Sequence, residues 1–169
     1  MIDLIIKNGK IIDGTGKPAY ISDIAVDNCK IIQIGDSSNL SSKKTYDATG
    51  KIVTPGFIDI HTHSDFPLYV DGTAQSGIRQ GLTTAVIGNC GLGPAPAPNK
   101  ELTKQITIGF KDEWGIDFNW NSFQEYLDSL ISKGQSLNIA ALIPHSAIRL
   151  AVMGFEAREP TSQELEIMK

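Results

Sequence analysis

The sequence predicts an α/β protein in two parts, an all-β module over residues 1–54 and a strand–helix alternating part over residues 55–169. Three observations predict it. Before residue 60 the apolar residues fall in short runs with no helical period. At Thr54-Pro55-Gly56 the character of the chain changes. Beyond it, three apolar runs alternate with helical patterns, an order that implies parallel strands covered by helices.

In the first part, Leu4-Ile5-Ile6 and Ile11-Ile12 flank Asn8-Gly9, a dipeptide favoured in two-residue turns, which predicts a hairpin. Asp13-Gly14-Thr15-Gly16 then breaks the chain. Ile24-Ala25-Val26 and Ile31-Ile32-Gln33-Ile34 flank Asp27-Asn28-Cys29, a second hairpin pattern, and residues 37–44 read as a polar loop. In the second part, Phe57-Ile58-Asp59-Ile60-His61 reads as a buried strand and residues 73–80 as a short helix. Residues 82–87 form a second strand rich in β-branched side chains. Residues 91–98 hold three prolines and two glycines and read as a loop, and residues 99–120 show no readable period. Ser122 is a plausible N-cap for an amphipathic helix carrying Phe123, Tyr126, Leu127, Leu130 and Ile131, which Gly134 stops. Residues 139–143 are the third strand, and Thr161-Ser162-Gln163-Glu164 is a capping box that opens a last helix. No internal repeat or low-complexity segment is present.

Composition narrows the function. With 169 residues, 41% of them hydrophobic, the chain can bury a core. Fifteen Lys and Arg against 19 Asp and Glu leave a net charge of −4, which argues against nucleic acid as a partner. No apolar run approaches the ~20 residues of a membrane-spanning helix. The first residues lack the basic start and apolar length of a signal peptide. Cys29 and Cys90 do not make a disulfide framework, so a reducing cytoplasm is the expected compartment.

Two of the three histidines stand in His61-Thr62-His63. On a strand, residues i and i+2 share a face, so both imidazoles are expected to project together at the C-terminal end of a parallel strand, where α/β folds build their sites. Neutral imidazole is a good zinc ligand. The same pattern also describes two ordinary polar residues at a strand end. Cys90 follows the second strand in Gly88-Asn89-Cys90-Gly91; it is either a metal-ligating thiolate or a structural cysteine. His145 ends the third strand, as a substrate contact, a support for another group, or a surface residue. Arg149 either binds a carboxylate or pairs with a helix acid. Asp59 shares the face of His61 and His63 one step deeper, suited to orienting a histidine, whereas Asp65 is expected past the strand end. Every histidine and one of two cysteines thus fall at the ends of predicted parallel strands. That convergence suggests metal-assisted hydrolysis.

Pro55-Gly56-Phe57-Ile58-Asp59-Ile60-His61-Thr62-His63-Ser64-Asp65 resembles the opening barrel strand of the amidohydrolase superfamily, and Ile6-Lys7-Asn8-Gly9 and Gly50-Lys51-Ile52-Val53-Thr54-Pro55-Gly56 are similar to its preceding β-module. The stretch from Gly81 to Gly91 with its Gly-Asn-Cys-Gly turn, then Leu137 through His145 and Arg149, Val152-Met153-Gly154 and Arg158, resemble the D-aminoacylase (N-acyl-D-amino-acid deacylase) branch. Pro144 departs from the glycine expected there, which touches the role of His145. The resemblance implies the first roughly three βα units of a (β/α)8 TIM-like barrel, preceded by part of a small β-sandwich. It also implies a zinc site of one or two divalent ions with His61, His63 and Cys90 as ligands, the cysteine standing where many relatives carry a carboxylated lysine. The implied reaction is hydrolysis of N-acyl-D-amino acids, small molecules, to a carboxylate and a D-amino acid. A barrel takes about 250 residues, so the remaining histidine ligands, the general-base aspartate and the arginine that grips substrate are expected beyond residue 169, and this chain alone is expected to be inactive. Two alternatives stand: a cyclic-amide hydrolase of the dihydroorotase or hydantoinase type, against which the cysteine speaks, and a non-catalytic metal-binding fragment. Neither nucleic acid nor membrane is an expected partner. Uncovered sheet edges suggest self-association.

Overall fold

The computed structural model describes residues 1–106 and 114–169. Its backbone divides into two compact units, Met1–Pro55 and Gly56–Lys169.

The first unit is one five-stranded sheet of β1 (Ile2–Ile11), β2 (Tyr20–Asp27), β3 (Lys30–Ile34), β4 (Ser42–Asp47) and β5 (Ile52–Val53). The order is β3-β2-β1-β4, with β5 also on β1; β1–β2 and β2–β3 are antiparallel, β1–β4 and β1–β5 parallel. The hairpin expected at Asn8-Gly9 is not there. β1 runs straight through, and the dipeptide is a bulge that shifts register against β2 between Ile6 and Gly9. The residue chemistry was read correctly but serves another purpose. Asn8 takes a positive φ of 58°, held by its N–H donating to Asp23 Oδ1 (2.8 Å) and its Nδ2 donating to Asp47 Oδ1 (3.2 Å). Gly9 is demanded by proximity, since a Cβ there would lie 2.6 Å from Val53 Cγ2. The second hairpin forms as expected, with Asn28 and Cys29 both at positive φ. The polar loop of residues 37–44 is in part β4, whose residues are nearly all exposed. With neither face buried, that strand carries no alternation to read, and its ladder to β1 forms it instead. Ile5, Ile11, Ile24, Ala25 and Ala48 are buried here.

The second unit carries a three-stranded parallel sheet, β6 (Phe57–Asp59), β7 (Leu82–Ile87) and β8 (Asn138–Ala141), in the order β6-β7-β8. Its helices are α1 (Asp65–Val70), α2 (Gln75–Ile78), α3 (Lys100–Ile106), α4 (Phe123–Ser132), α5 (His145–Met153) and α6 (Ser162–Met168). The capping boxes at Ser122 and Thr161 both form, each hydroxyl accepting from the backbone N–H three residues on and each glutamate returning the bond. Several expectations are corrected. β6 ends at Asp59, two residues before His61, and is not buried: Phe57, Ile58 and Ile60 are 56%, 62% and 74% exposed. α1 is absent from the sequence reading because Pro67 looks like a breaker. It sits in the first turn, where its missing N–H has no partner to lose. His145 does not end a strand; it opens α5 behind Pro144.

An aromatic cluster fills this unit. Trp120, 1% exposed, makes edge contacts with Tyr69 (4.9 Å between centroids) and Phe118 (5.4 Å), and lies tilted against Tyr126 (5.2 Å). Its Nε1–H donates to the Pro94 carbonyl at 2.8 Å, while Ala97 N–H donates to Asn121 O at 2.8 Å. Ile116 and Phe118, in the stretch without readable period, also belong to this core, whereas residues 107–113 of that stretch lie outside the described residues.

Two outcomes follow. Trp120→Ala removes the centre of the cluster and is expected to cost about 3–5 kcal/mol, read as a lowered midpoint in urea denaturation. The Arg158 guanidinium, bonded to both oxygens of Glu164, pulls that carboxyl from 4.5 down to about 2, helped by the Thr161 backbone N–H. A folded-state value below the unfolded one means the contribution is present above about 4.5 and is lost as pH falls through about 2. Amide protection of α6, followed from neutral pH downward, is expected to fade in that window.

Candidate metal centre

The parallel ladder brings the C-terminal ends of β6 and β7 side by side, with Asp59 opposite Ala85. Past Asp59 the chain turns, and the Asp59 carboxylate accepts the His61 backbone N–H at 3.1 Å. Asp59 therefore shapes the loop through the backbone and does not bond an imidazole. His61 and His63 project from this loop, not from a strand face. Their rings nevertheless lie together, with centroids 5.7 Å apart and planes at 67°.

β7 ends in the Gly88-Asn89-Cys90-Gly91 turn. Gly88 has a φ of 79°, and a Cβ there would meet the Leu142 carbonyl oxygen at 2.1 Å, so the residue after β8 leaves room only for glycine. Cys90 adopts a left-handed φ of 56° within a single 3-10 turn spanning Asn89–Gly91. That conformation sets Sγ 3.2 Å from His61 Nε2. One ligand atom from each of His61, His63 and Cys90 lies within 4.8 Å of the others, and all three residues are exposed. Two zinc ligands at tetrahedral angles stand roughly 3.6 Å apart, so small side-chain adjustments suffice for one ion. Two imidazoles and a sulfur are a donor set that zinc takes.

Two residues given no role by sequence reasoning are built into the base of this cluster. Asp65, at the start of α1 and 4% exposed, accepts the Gly88 N–H at 2.9 Å. Burial pushes its carboxyl above the usual range, against the backbone bonds and the His63 charge that favour ionisation. Asn89, 7% exposed, donates from Nδ2 to the carbonyls of Val86 (2.8 Å) and Thr62 (3.2 Å). The available signal was a polar pair, one residue on either segment, next to the presumed ligands. The Tyr126 hydroxyl donates to the Asp65 carbonyl at 3.1 Å and ties this base to the aromatic core.

The other candidates fall elsewhere. Among the described residues the cluster does not include Asp59 or His145. His145 is exposed at the first position of α5. Among the described residues Arg149 pairs with no acid. Its guanidinium donates to the carbonyls of Glu156 (2.8 Å) and Arg158 (2.6 Å) and lies 3.2 Å from Met153 Sδ, because the chain after α5 folds back across it. Cys29 sits in the β2–β3 turn.

Known proteins resemble the chain over most of its length. Residues 44–169 match the model of an amidohydrolase family. The chain is 35% identical to a D-aminoacylase of Alcaligenes xylosoxydans xylosoxydans over 99% of its own length and 34% of the relative's. It is 33% identical to an N-acyl-D-aspartate deacylase of the same organism, over 99% of this chain and 33% of that one. Among solved structures, an N-acyl-D-glutamate deacylase from Bordetella bronchiseptica, complexed with zinc and a phosphonate inhibitor, superposes with a TM-score of 0.84 at 34% identity, covering 99% of this chain and 34% of that one. The chain spans about a third of the length of the curated relatives it matches. A match that takes in three quarters of the sequence, both donor-bearing segments included, is one of descent, and the chain belongs to the amidohydrolase family.

Proposed function

We propose that this chain is part of a metal-dependent hydrolase that cleaves the amide bond of N-acyl-D-amino acids, releasing a carboxylate and a D-amino acid. The observation that carries the reading is the convergence of His61, His63 and Cys90 from two strand ends. Its support is the likeness, over 99% of the chain, to relatives named as a D-aminoacylase and as N-acyl-D-aspartate and N-acyl-D-glutamate deacylases. A cyclic-amide hydrolase is the second reading. It is favoured by a dihydroorotase of Listeria monocytogenes, 33% identical over 64% of this chain, a narrower likeness.

In this proposal His61, His63 and Cys90 hold zinc, as one ion or one of a pair. A D-aminoacylase with a binuclear metal centre superposes at a TM-score of 0.86. When bound, the ion supplies Lewis acidity for attack of water on an amide carbonyl. The chain's own part is to present two imidazoles and one cysteine sulfur on a face open to solvent, so that a small substrate can reach them. Asp59 holds the histidine loop in shape through the His61 N–H. His145, four residues past the C-terminal end of β8, is the proposed substrate contact. β6, β7 and β8 stand as the first three strands of a (β/α)8 barrel, and residues 1–54 as part of a β-sandwich.

Native mass spectrometry of the zinc-treated chain is expected to show retained zinc. His61→Ala and Cys90→Ser are each expected to weaken binding about tenfold or more; unchanged zinc retention in both variants removes these residues as ligands. A polypeptide joining this chain to the remaining length of the Alcaligenes D-aminoacylase is expected to hydrolyse N-acetyl-D-amino acids and to spare the L enantiomers, while the chain by itself shows no turnover. Preference for dihydroorotate would instead establish the cyclic-amide reading.

A further inference from the structure

The histidine loop and the cysteine turn belong to different strands, and the described ladder between those strands ends at Asp59 and Ala85. Beyond that point, besides the contact of His61 Nε2 with Cys90 Sγ, three hydrogen bonds among the described residues join the two segments. Thr62 N–H donates to the Val86 carbonyl at 3.3 Å. From the cysteine side, Asn89 reaches across to the carbonyl of Thr62, the residue between the two histidines. From the histidine side, Asp65 reaches back to the N–H of Gly88, two residues before Cys90. We propose that Asn89 and Asp65 are positioning residues that form a reciprocal clamp, gathering the three donor atoms before an ion arrives. The inference rests on the zinc reading above and deepens it.

The chemistry of each arm is specific. Asn89 Nδ2 carries two hydrogens and meets two carbonyls, Val86 on its own segment and Thr62 on the other, so one amide group sets both the exit of the cysteine turn and the path of the histidine loop. No aliphatic side chain of that size can donate, and losing the amide removes the Thr62 carbonyl's bond from the cysteine side and leaves the Val86 carbonyl with the Thr62 N–H. Asp65 needs only an acceptor oxygen toward Gly88, which an asparagine also supplies. Its backbone carbonyl is held in turn by the Tyr126 hydroxyl, so the clamp is anchored to the packed interior, while the donors it aligns are exposed. Exposed side chains on two separate loops otherwise sample many rotamers, and a cation binding them must order them at its own expense.

The test compares zinc affinity, measured by chelator competition, and the thiolate-to-cobalt absorption of the Co(II)-loaded chain. Wild type, Asn89→Leu, Asn89→Ser, Asp65→Asn, Asp65→Leu and Ser122→Ala are measured. Ser122→Ala removes a remote helix cap and controls for lost stability. Asn89→Leu and Asp65→Leu are expected to weaken zinc about 10–100-fold and to diminish the sulfur–cobalt band. Asp65→Asn and Ser122→Ala are expected to stay close to wild type. If Asn89→Leu fails to fold, Asn89→Ser, which keeps a single donor, carries the comparison with an intermediate loss. Undiminished affinity in the Asn89 variants, or an equal loss in Ser122→Ala, overturns the clamp. The imidazole resonances of His61 and His63 in the metal-free chain supply a reading independent of zinc. They are expected to shift in Asn89→Leu and to stay in place in Ser122→Ala. A wild-type chain that binds no zinc refutes the metal reading alone, and the resonances then decide the clamp: a shift upholds it and its absence overturns it.

Discussion

The parallel pairing of β6 with β7 is the constraint on which the site depends. It sets Ile58 opposite Thr84 and Asp59 opposite Ala85, so both strands finish at the same edge of the sheet, β7 two residues beyond β6. An antiparallel partner would put the two ends at opposite edges of the sheet. Parallel strands cannot be joined by a tight turn and need a crossover of a dozen or more residues. The chain spends that crossover on α1 and α2, and the first turn of α1 supplies Asp65. The element that makes the topology possible thus also supplies a carboxylate to the end of the neighbouring strand.

Around this junction, packing and polarity are divided. The aromatic side chains of the core are buried. The donors are exposed to solvent. Asp65, Asn89 and the Tyr126 hydroxyl mark the boundary, and each polar atom there that bridges segments has a partner. Burial acts in the same direction on both titratable groups: it holds the Tyr126 phenol protonated, as a donor, and raises the Asp65 carboxyl, one oxygen of which accepts from Gly88.

What was legible in the sequence followed from periodicity and from side chains with strong local chemistry. β7, the β2–β3 hairpin and the capping boxes at Ser122 and Thr161 could all be read because the residues decide them within a few positions. Asn8-Gly9 was read for its positive φ, but a hairpin turn and a bulge ask the same of the backbone, and only the partner strand distinguishes them. β4 was invisible because an exposed strand leaves no pattern. The grouping of His61, His63 and Cys90 was legible by type and by position after strands, although the reason given for the histidines, a shared strand face, was replaced by a loop. Asn89 and Arg149 show the limit most clearly. Their partners are backbone carbonyls, which every residue has, so no sequence pattern marks the bond.

The connection from β7 to α4 is tied by Trp120 Nε1 to Pro94 and by Ala97 to Asn121, and Ile116, Phe118 and Trp120 bring it back into the core ahead of the second tie. Doubling the length of a closed segment adds only about 0.6 kcal/mol of closure entropy. Replacing those three side chains, by contrast, strips the cluster that holds Tyr126, and with it the hydroxyl that bonds Asp65. Divergence in this connection is therefore cheap in its length and costly in three of its side chains.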